Sequence, residues 1–175
     1  MSLLIKQFKL LSEYNQLMNQ RLYSAVAELS YEEINENKGA FFESLLGTLN
    51  HILVGDIIWL SRFSKDISSQ NTLAYFSTIE KPESLNSIVF SELDELKKER
   101  EKIDKLIIQW VDSLTDKDLS STINYKNMKG QQFEKEFSSL INHLFLHQVH
   151  HRGQATTLLS QSHVDFGETD FLEII

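Results

Sequence analysis

The chain has 175 residues, 41% of them apolar, with a formal net charge of -8 at pH 7 and no cysteine. This length is typical of one domain with its own core, and we expect a single domain over residues 1–175. The lack of cysteine excludes disulfides, thiolate-ligated metal sites and a cysteine nucleophile, and the acidic balance disfavours a nucleic-acid partner. No apolar run approaches the ~20 residues of a membrane span, so we expect a cytoplasmic protein without a membrane partner.

The first half of the chain predicts two long helices. One proline and six glycines are few for a turn-rich sandwich or barrel, and this scarcity favours long helices. Apolar residues at helical spacing predict a first helix from Leu4 to about Ser30. Ser30 and Glu33 form a Ser-x-x-Glu capping-box pattern, which predicts a short turn after it. A second helix, apolar on most sides, is predicted from about Phe41 to Phe63.

The middle of the chain predicts a long connection and a third helix. Residues 64 to 86 are polar, contain Pro82 and are predicted to be a long connection. The third helix is predicted from about Ser87 to Leu114, and its dense charge run from Lys97 to Lys105 is expected to be a solvated face. The apolar stripe of this helix is predicted to consist of Ile88, Val89, Leu93, Leu96, Ile103, Leu106, Ile107 and Trp110.

The last third predicts a hairpin, a helix and a tail. Ser121–Tyr125 and Gln131–Phe133 read as short strands of a hairpin. A fourth helix is predicted from about Ser138 to Gln161, and the tail Val164–Ile175 is expected to form a loop and a last turn. Four amphipathic helices of roughly 20 to 27 residues predict an all-α four-helix bundle, with a long connection between the second and third helices and a short hairpin before the fourth.

Histidine is concentrated on the predicted fourth helix. Four of the six histidines, His143, His147, His150 and His151, lie within nine residues. Residues four apart share a helix face, so both the 143/147 pair and the 147/151 pair have the spacing of a divalent-metal site. Such a pair is more often a surface or packing feature, and the hypothesis therefore depends on the density of histidine. His51, the one histidine in another predicted helix, is the candidate third ligand.

Glycines flank the candidate ligands. Gly47 and Gly55 stand four residues before and after His51, and each glycine inside a helix costs about 1 kcal/mol relative to alanine. We therefore expect the backbone to approach a packed helix or a bound group there. Gly153, two residues after His151, predicts the same close approach on the fourth helix.

Three polar residues are further candidates for the site. A histidine that binds a metal usually donates its other ring N–H to an acceptor, and Asp56 and Gln154 are suitable acceptors close in sequence. Asn15 interrupts the apolar stripe of the first helix. No His-Glu-x-x-His, Glu-x-x-His, nucleotide-binding or Gly-x-Ser-x-Gly pattern is present, and Gln148 occupies the position of the metalloprotease glutamate.

Several segments of the chain resemble a known family. The run His147-Gln-Val-His-His-Arg-Gly-Gln154 resembles the hallmark of the DinB/YfiT-like proteins, a group of bacterial four-helix bundles. Tyr14–Leu22 is similar to the first helix of that family, Gly47–Leu60 to its second helix and Asp170–Leu172 to its C-terminal end. The resemblance covers nearly the whole chain.

The resemblance implies three histidine metal ligands. They fall on His51, His147 and His151, which selects the 147/151 pair. His143 and His150 then lie beside the site. The resemblance also permits a homodimer.

The function implied by such a site has three alternatives. Three imidazoles around a divalent ion, with zinc, nickel and iron equally suitable, leave an open position for a small-molecule substrate. Members of this family are known or suspected to use low-molecular-weight thiols such as bacillithiol or mycothiol, which suggests a metal-dependent thiol transferase. A metal-dependent hydrolase would need a carboxylate base, for which Asp56, Asp165 and Glu168 are candidates. The third alternative is a non-enzymatic metal-binding or stress-related dimeric protein.

Overall fold

The computed structural model describes residues 2–66 and 70–175, and these residues are mostly helical. In chain order the elements are α1 (Leu3–Val26), α2 (Tyr31–Asn35), α3 (Leu45–Asp66), α4 (Gln70–Thr78), α5 (Leu93–Ser113), α6 (Asp116–Leu119), β1 (Thr122–Lys126), β2 (Gln132–Glu136), α7 (Phe137–Gln161) and a final 3-10 turn (Phe171–Ile174). The expected all-α class holds, with a small antiparallel sheet added. Within the described ranges, no helix has the length and apolar character needed to span a membrane.

The four long helices pack around one hydrophobic core. α1 contacts α5 and α7, and α3 contacts α7 extensively and α5 slightly. The interior contains a cluster of aromatic side chains, in which the rings of Phe63 and Trp110 stack with centroids 5.5 Å apart. Phe137, at the start of α7, meets Phe63 edge to face. Burial of these large apolar surfaces is the main stabilising contribution to the packing of the helices.

The second long helix begins four residues later than predicted. α3 starts at Leu45, and Phe41 and Phe42 precede it. Glu43 has a φ of 64°, a left-handed conformation that cannot continue into a helix. The Ser44 hydroxyl accepts a hydrogen bond from Gly47 N at 3.1 Å and satisfies an amide of the first turn. The two phenylalanines therefore lie in the segment before the helix.

The predicted connection between residues 64 and 86 is partly helical. α3 continues to Asp66, and the connection also contains α4, while residues 67–69 lie outside the described part. α4 buries Leu73 and Phe76, three residues apart, against α3. Two buried residues in a Ser- and Asn-rich segment give too weak a pattern for the sequence to predict a helix.

The third long helix begins at Leu93, so the predicted start at Ser87 is wrong. Ile88 and Val89 lie before it and are exposed, and they do not belong to the apolar stripe. The buried side chain of Asn50 on α3 accepts hydrogen bonds from the amides of Val89 and Phe90 at 2.9 and 3.0 Å. It also donates to the Phe90 carbonyl. These bonds tie main-chain groups of the segment to α3, and the segment is not helical.

The charge run on α5 is only partly solvated. Lys98, Glu101 and Lys105 are exposed as expected, but Arg100 and Asp104 are 1% and 2% exposed. They are four residues apart and therefore share a helix face. That face lies in the core, where polar side chains of other helices contact both residues.

The first helix ends at Val26 rather than near Ser30, and the other local predictions are confirmed. β1 pairs with β2 as an antiparallel hairpin in which Thr122 faces Glu136. Ser30 and Glu33 form the predicted capping box at the start of α2. The tail ends in the 3-10 turn and is held on α1, where the Tyr14 hydroxyl donates to the Thr169 carbonyl at 2.6 Å.

Candidate metal centre

Three histidines meet where α3 packs on α7. His51 lies on α3, and His147 and His151 lie one turn apart on one face of α7. The Nε2 atom of His51 is 3.1 Å from the Nε2 atoms of both His147 and His151. The grouping could hold a metal ion. The structure thus brings together the three histidines that the resemblance implied.

The glycine at position 55 makes this close approach feasible. A Cβ atom there would stand 2.5 Å from Cε1 and 3.0 Å from Nδ1 of His147, so any side chain would displace the imidazole. The other two glycines have different surroundings. A Cβ at Gly47 would collide with the Phe42 carbonyl rather than with a histidine, and one at Gly153 would meet nothing within 4 Å. The expected close approach at Gly153 is therefore wrong, because this part of α7 faces solvent.

Hydrogen bonds orient two of the three rings. The Nδ1 atom of His51 is 2.8 Å from the Leu85 carbonyl, which can only accept, so this nitrogen carries the proton. The Nδ1 atom of His151 is 2.7 Å from the Gln154 side-chain oxygen, as expected for the predicted acceptor. Both rings therefore present an Nε2 lone pair. The Nδ1 atom of His147 is buried and has no hydrogen-bond partner among the described residues.

The electrostatic environment keeps these imidazoles neutral. Burial lowers the pKa of His51 to about 4, although the Leu85 carbonyl opposes this shift. Burial, reinforced by the neighbouring histidines, lowers the pKa of His147 to about 3. Burial also lowers the pKa of His151. At neutral pH all three rings are therefore in the deprotonated form that a metal ion requires.

The donor set fits a divalent cation. His51 and His151 each carry their proton on Nδ1, so their Nε2 atoms carry none. Only His147 can place a proton among the three Nε2 atoms that face one another. A cation relieves the resulting lone-pair repulsion. Nitrogen ligands about 2.0–2.1 Å from a tetrahedral ion stand about 3.3 Å apart, close to the 3.1 Å separations in this structure.

An aromatic cavity of about 490 Å³ opens in front of the histidines. The Phe42 ring stacks on His51 with centroids 3.7 Å apart and meets His151 edge to face. The His143 ring packs on Trp59, with centroids 5.0 Å apart, and both residues line the cavity. Sequence reasoning missed Phe42, which it placed inside a helix, and the pair Phe41-Phe42 before Glu43 was the available signal.

Two predicted site residues belong instead to a buried polar network. Asp56 forms an ion pair with Arg100 and accepts a hydrogen bond from Gln148, and Asn15 donates to Asp104. The network joins all four long helices and consists of Asn15, Asn19, Asp56, Arg100, Asp104, Gln148 and Arg152. No described hydrogen bond links Asp56 or Asn15 to a candidate ligand. The acceptor role suggested for Asp56 is therefore not seen, and Asn15, a further candidate for the site, lies in the network instead.

The network nevertheless supports the helix turn that carries two histidines. Gln148 and Arg152 each follow a candidate ligand by one residue and point into the core, where both are buried. Arg152 donates to Asn15 and Asn19. The network contains two arginines and two aspartates, so its formal charges cancel. Burial raises the pKa of Asp56 to about 6, and the Arg100 charge opposes this shift.

Three other candidates lie away from the three rings or only beside them. His150 is exposed and its ring touches His151 edge to face, with centroids 4.8 Å apart. Asp165 accepts a hydrogen bond from Gly167 in the tail, and the Glu168 carbonyl accepts one from Arg21 on α1. Neither acid lines the histidine cavity.

The fold and the site together define the class of this protein. It is a mostly helical protein with a three-histidine candidate metal centre between two helices. The sequence model of the DinB family matches residues 2–173, and the chain belongs to that family. The chain is similar to Protein DinB of Bacillus subtilis (strain 168), with 26% identity over 163 residues, covering 92% of this chain and 89% of the relative. No solved structure matches significantly.

Proposed function

We propose that the protein is a metal-dependent transferase that uses a low-molecular-weight thiol, with His51, His147 and His151 as metal ligands. The observation that carries this proposal is the convergence of three neutral imidazoles at an open aromatic cavity. A divalent ion bound there would supply Lewis-acid chemistry and lower the pKa of a thiol. In the transfer the thiol sulfur bonds to an electrophilic carbon, the leaving group departs with its electron pair, and the thiol proton passes to solvent.

The lining of the histidine cavity favours transfer over hydrolysis. The lack of cysteine fits both reactions, and it means only that a sulfur nucleophile must come from a bound thiol. Hydrolysis would be helped by a carboxylate base. In the described part of the chain, no carboxylate lines the histidine cavity. Asp56 is occupied by Arg100, and the tail acids Asp165 and Glu168 lie on the α1 side.

The finer architecture is also a proposal. We propose that α1, α3, α5 and α7 form a four-helix bundle that is one domain over residues 1–175.

We further propose a cytoplasmic homodimer that acts on a small molecule and binds no nucleic acid. Exposed Leu146 and Val149, three residues apart on α7, are consistent with a dimer contact. Sedimentation at micromolar concentration checks the dimer, and a monomer would contradict it.

Metal binding is tested before activity. The wild type should bind close to one equivalent of zinc, nickel or iron, and His51→Ala and His147→Ala should each lower the affinity by about tenfold or more. His163→Ala is the matched control, because His163 is exposed beyond the end of α7. A wild type that retains less than about a tenth of an equivalent after reloading would contradict every metal-dependent function.

Activity then separates the three alternatives. Metal-loaded protein should consume chlorodinitrobenzene faster when bacillithiol or mycothiol is present, and His147→Ala should abolish the increase. Equal rates with and without the thiol would rule out the transferase. Thiol-independent turnover of an ester would instead favour the hydrolase. A loaded protein that turns over neither substrate would favour the non-enzymatic alternative.

A further inference from the structure

A second cavity, of about 470 Å³, adjoins the histidine cavity and is lined by cations. Arg62 and Lys65 from α3, Lys81 from the α4–α5 connection and Lys126 from β1 contribute to its wall. The described residues that line it include no carboxylate. The chain as a whole has 25 acidic and 17 basic residues, so the charge of this wall is opposite in sign to the net charge of the chain. We call this second cavity the cationic cleft.

Three of the four cations that line the cleft have no carboxylate beside them among the described residues. No described carboxylate lies within ion-pair distance of Arg62, Lys81 or Lys126, although six such contacts occur elsewhere in the described ranges. Lys65 is close enough to Lys81 for its charge to lower the pKa of that ammonium group. Several cations gathered on one wall create a positive potential that attracts anions.

Arg62 is held in place between the two cavities. Its guanidinium lies over the rings of Trp59 and Tyr125, 4.5 and 4.8 Å from their centroids, and donates to the Lys126 carbonyl at 3.0 Å. These contacts order the side chain before any ligand arrives. Arg62 lines both cavities, together with Ile58 and Met128. An anion held by Arg62 therefore leaves the rest of a small molecule free to extend towards the histidines.

We propose that the cationic cleft binds the anionic end, a carboxylate or a phosphate, of a small molecule whose other end lies in the histidine cavity, with Arg62 as the anchor. A guanidinium binds either group through two parallel hydrogen bonds, and the lysines add charge. The cavity volume is in the range of small-molecule sites. The position of the reacting end rests on the proposed function, whereas the binding of an anion in the cleft does not.

Direct titration tests the cleft without an activity measurement. Full-length protein, metal-loaded and chelator-treated, is titrated at low salt with succinate and with inorganic phosphate by calorimetry. At least one of the two anions should bind with the same affinity in both preparations, and the one that binds identifies the group. Arg62→Gln and Lys81→Gln should each weaken binding by about tenfold, and Arg62→Lys should be intermediate. Lys6→Gln, an exposed lysine on α1, is the matched control and should bind as the wild type does.

The histidine variant separates this proposal from the proposed function. His147→Ala should lose metal but retain the anion, because the cleft does not include that residue. Anion binding that survives Arg62→Gln and Lys81→Gln but disappears in His147→Ala would overturn the cleft, since the anion would then sit at the histidines. Failure of both anions to bind would overturn it as well. Neither result depends on whether the protein transfers a thiol.

Discussion

At the scale of single residues, Gly55 sets the distance between α3 and the His147 ring. A methyl group at position 55 would stand 2.5 Å from Cε1 of His147, so Gly55→Ala must push the ring away from His51. We expect a loss of about tenfold or more in metal affinity, measured by competition with a chromophoric chelator. Alanine improves helix propensity by about 1 kcal/mol, and thermal unfolding of the variant measures whether the clash offsets this gain.

Gly153→Ala provides the matched control for this prediction. It makes the same change within a helix that carries two candidate ligands, but the added methyl meets no atom within 4 Å. Metal affinity should match the wild type, and thermal stability should be unchanged or slightly higher. If the two alanine variants bind metal equally well, then the close approach at position 55 is not required for the site.

The sequence predicted the ligand candidates better than their surroundings. His147 and His151 are four residues apart, and that local spacing places them on one helix face in any helix. The acceptor for His51 is the main-chain carbonyl of Leu85, 34 residues away, and a backbone oxygen has no residue-type signature. By contrast Gln154, three residues after His151, could be predicted because its contact is local.

At the scale of secondary-structure elements, α5 contributes the ionic centre of the buried network. Arg100 pairs with Asp56 on α3 and approaches Asp104, one turn further along α5, at 2.9 Å. Arg100→Met would leave two carboxylates in the core without this cation. We expect it to lower the free energy of unfolding by about 3–5 kcal/mol, measured by urea denaturation.

The control for this prediction lies on the same helix. Lys98→Met also replaces a cation of α5, but Lys98 is exposed and should change stability by no more than about 0.5 kcal/mol. Similar losses in the two variants would show that Arg100 contributes little as a buried cation.

The burial of Arg100 illustrates which part of α5 could be predicted. Charged residues are mostly exposed, which supported the expectation of a solvated face. However, Arg100 lies four residues after Leu96 and three before Ile103, within the apolar stripe that the sequence itself defined. That position was the available signal. The partner Asp56 lies 44 residues earlier on another helix, so the ion pair itself could not be derived from local spacing.

At the scale of the whole molecule, the proposed ion would connect two helices that are far apart in the chain. His51 precedes His147 by 96 residues, and the two lie on α3 and α7. The apolar residues of both helices contribute to the core. The cationic cleft depends on the α4–α5 connection, whose path the sequence did not determine. A ligand that binds both helices only in the folded state should stabilise the fold through mass action.

This linkage predicts a metal-dependent melting temperature. An ion present at about 100 times its dissociation constant stabilises the folded state by about 2.7 kcal/mol, which for a chain of this size raises the Tm by about 5–10 °C. Chelator should reverse the increase, which differential scanning calorimetry can measure. His147→Ala should show a much smaller increase at the same metal concentration, because it lacks one of the three nitrogens. An equal increase in the variant would mean that the stabilising ion binds elsewhere on the acidic surface, and the three histidines would then not be the stabilising site.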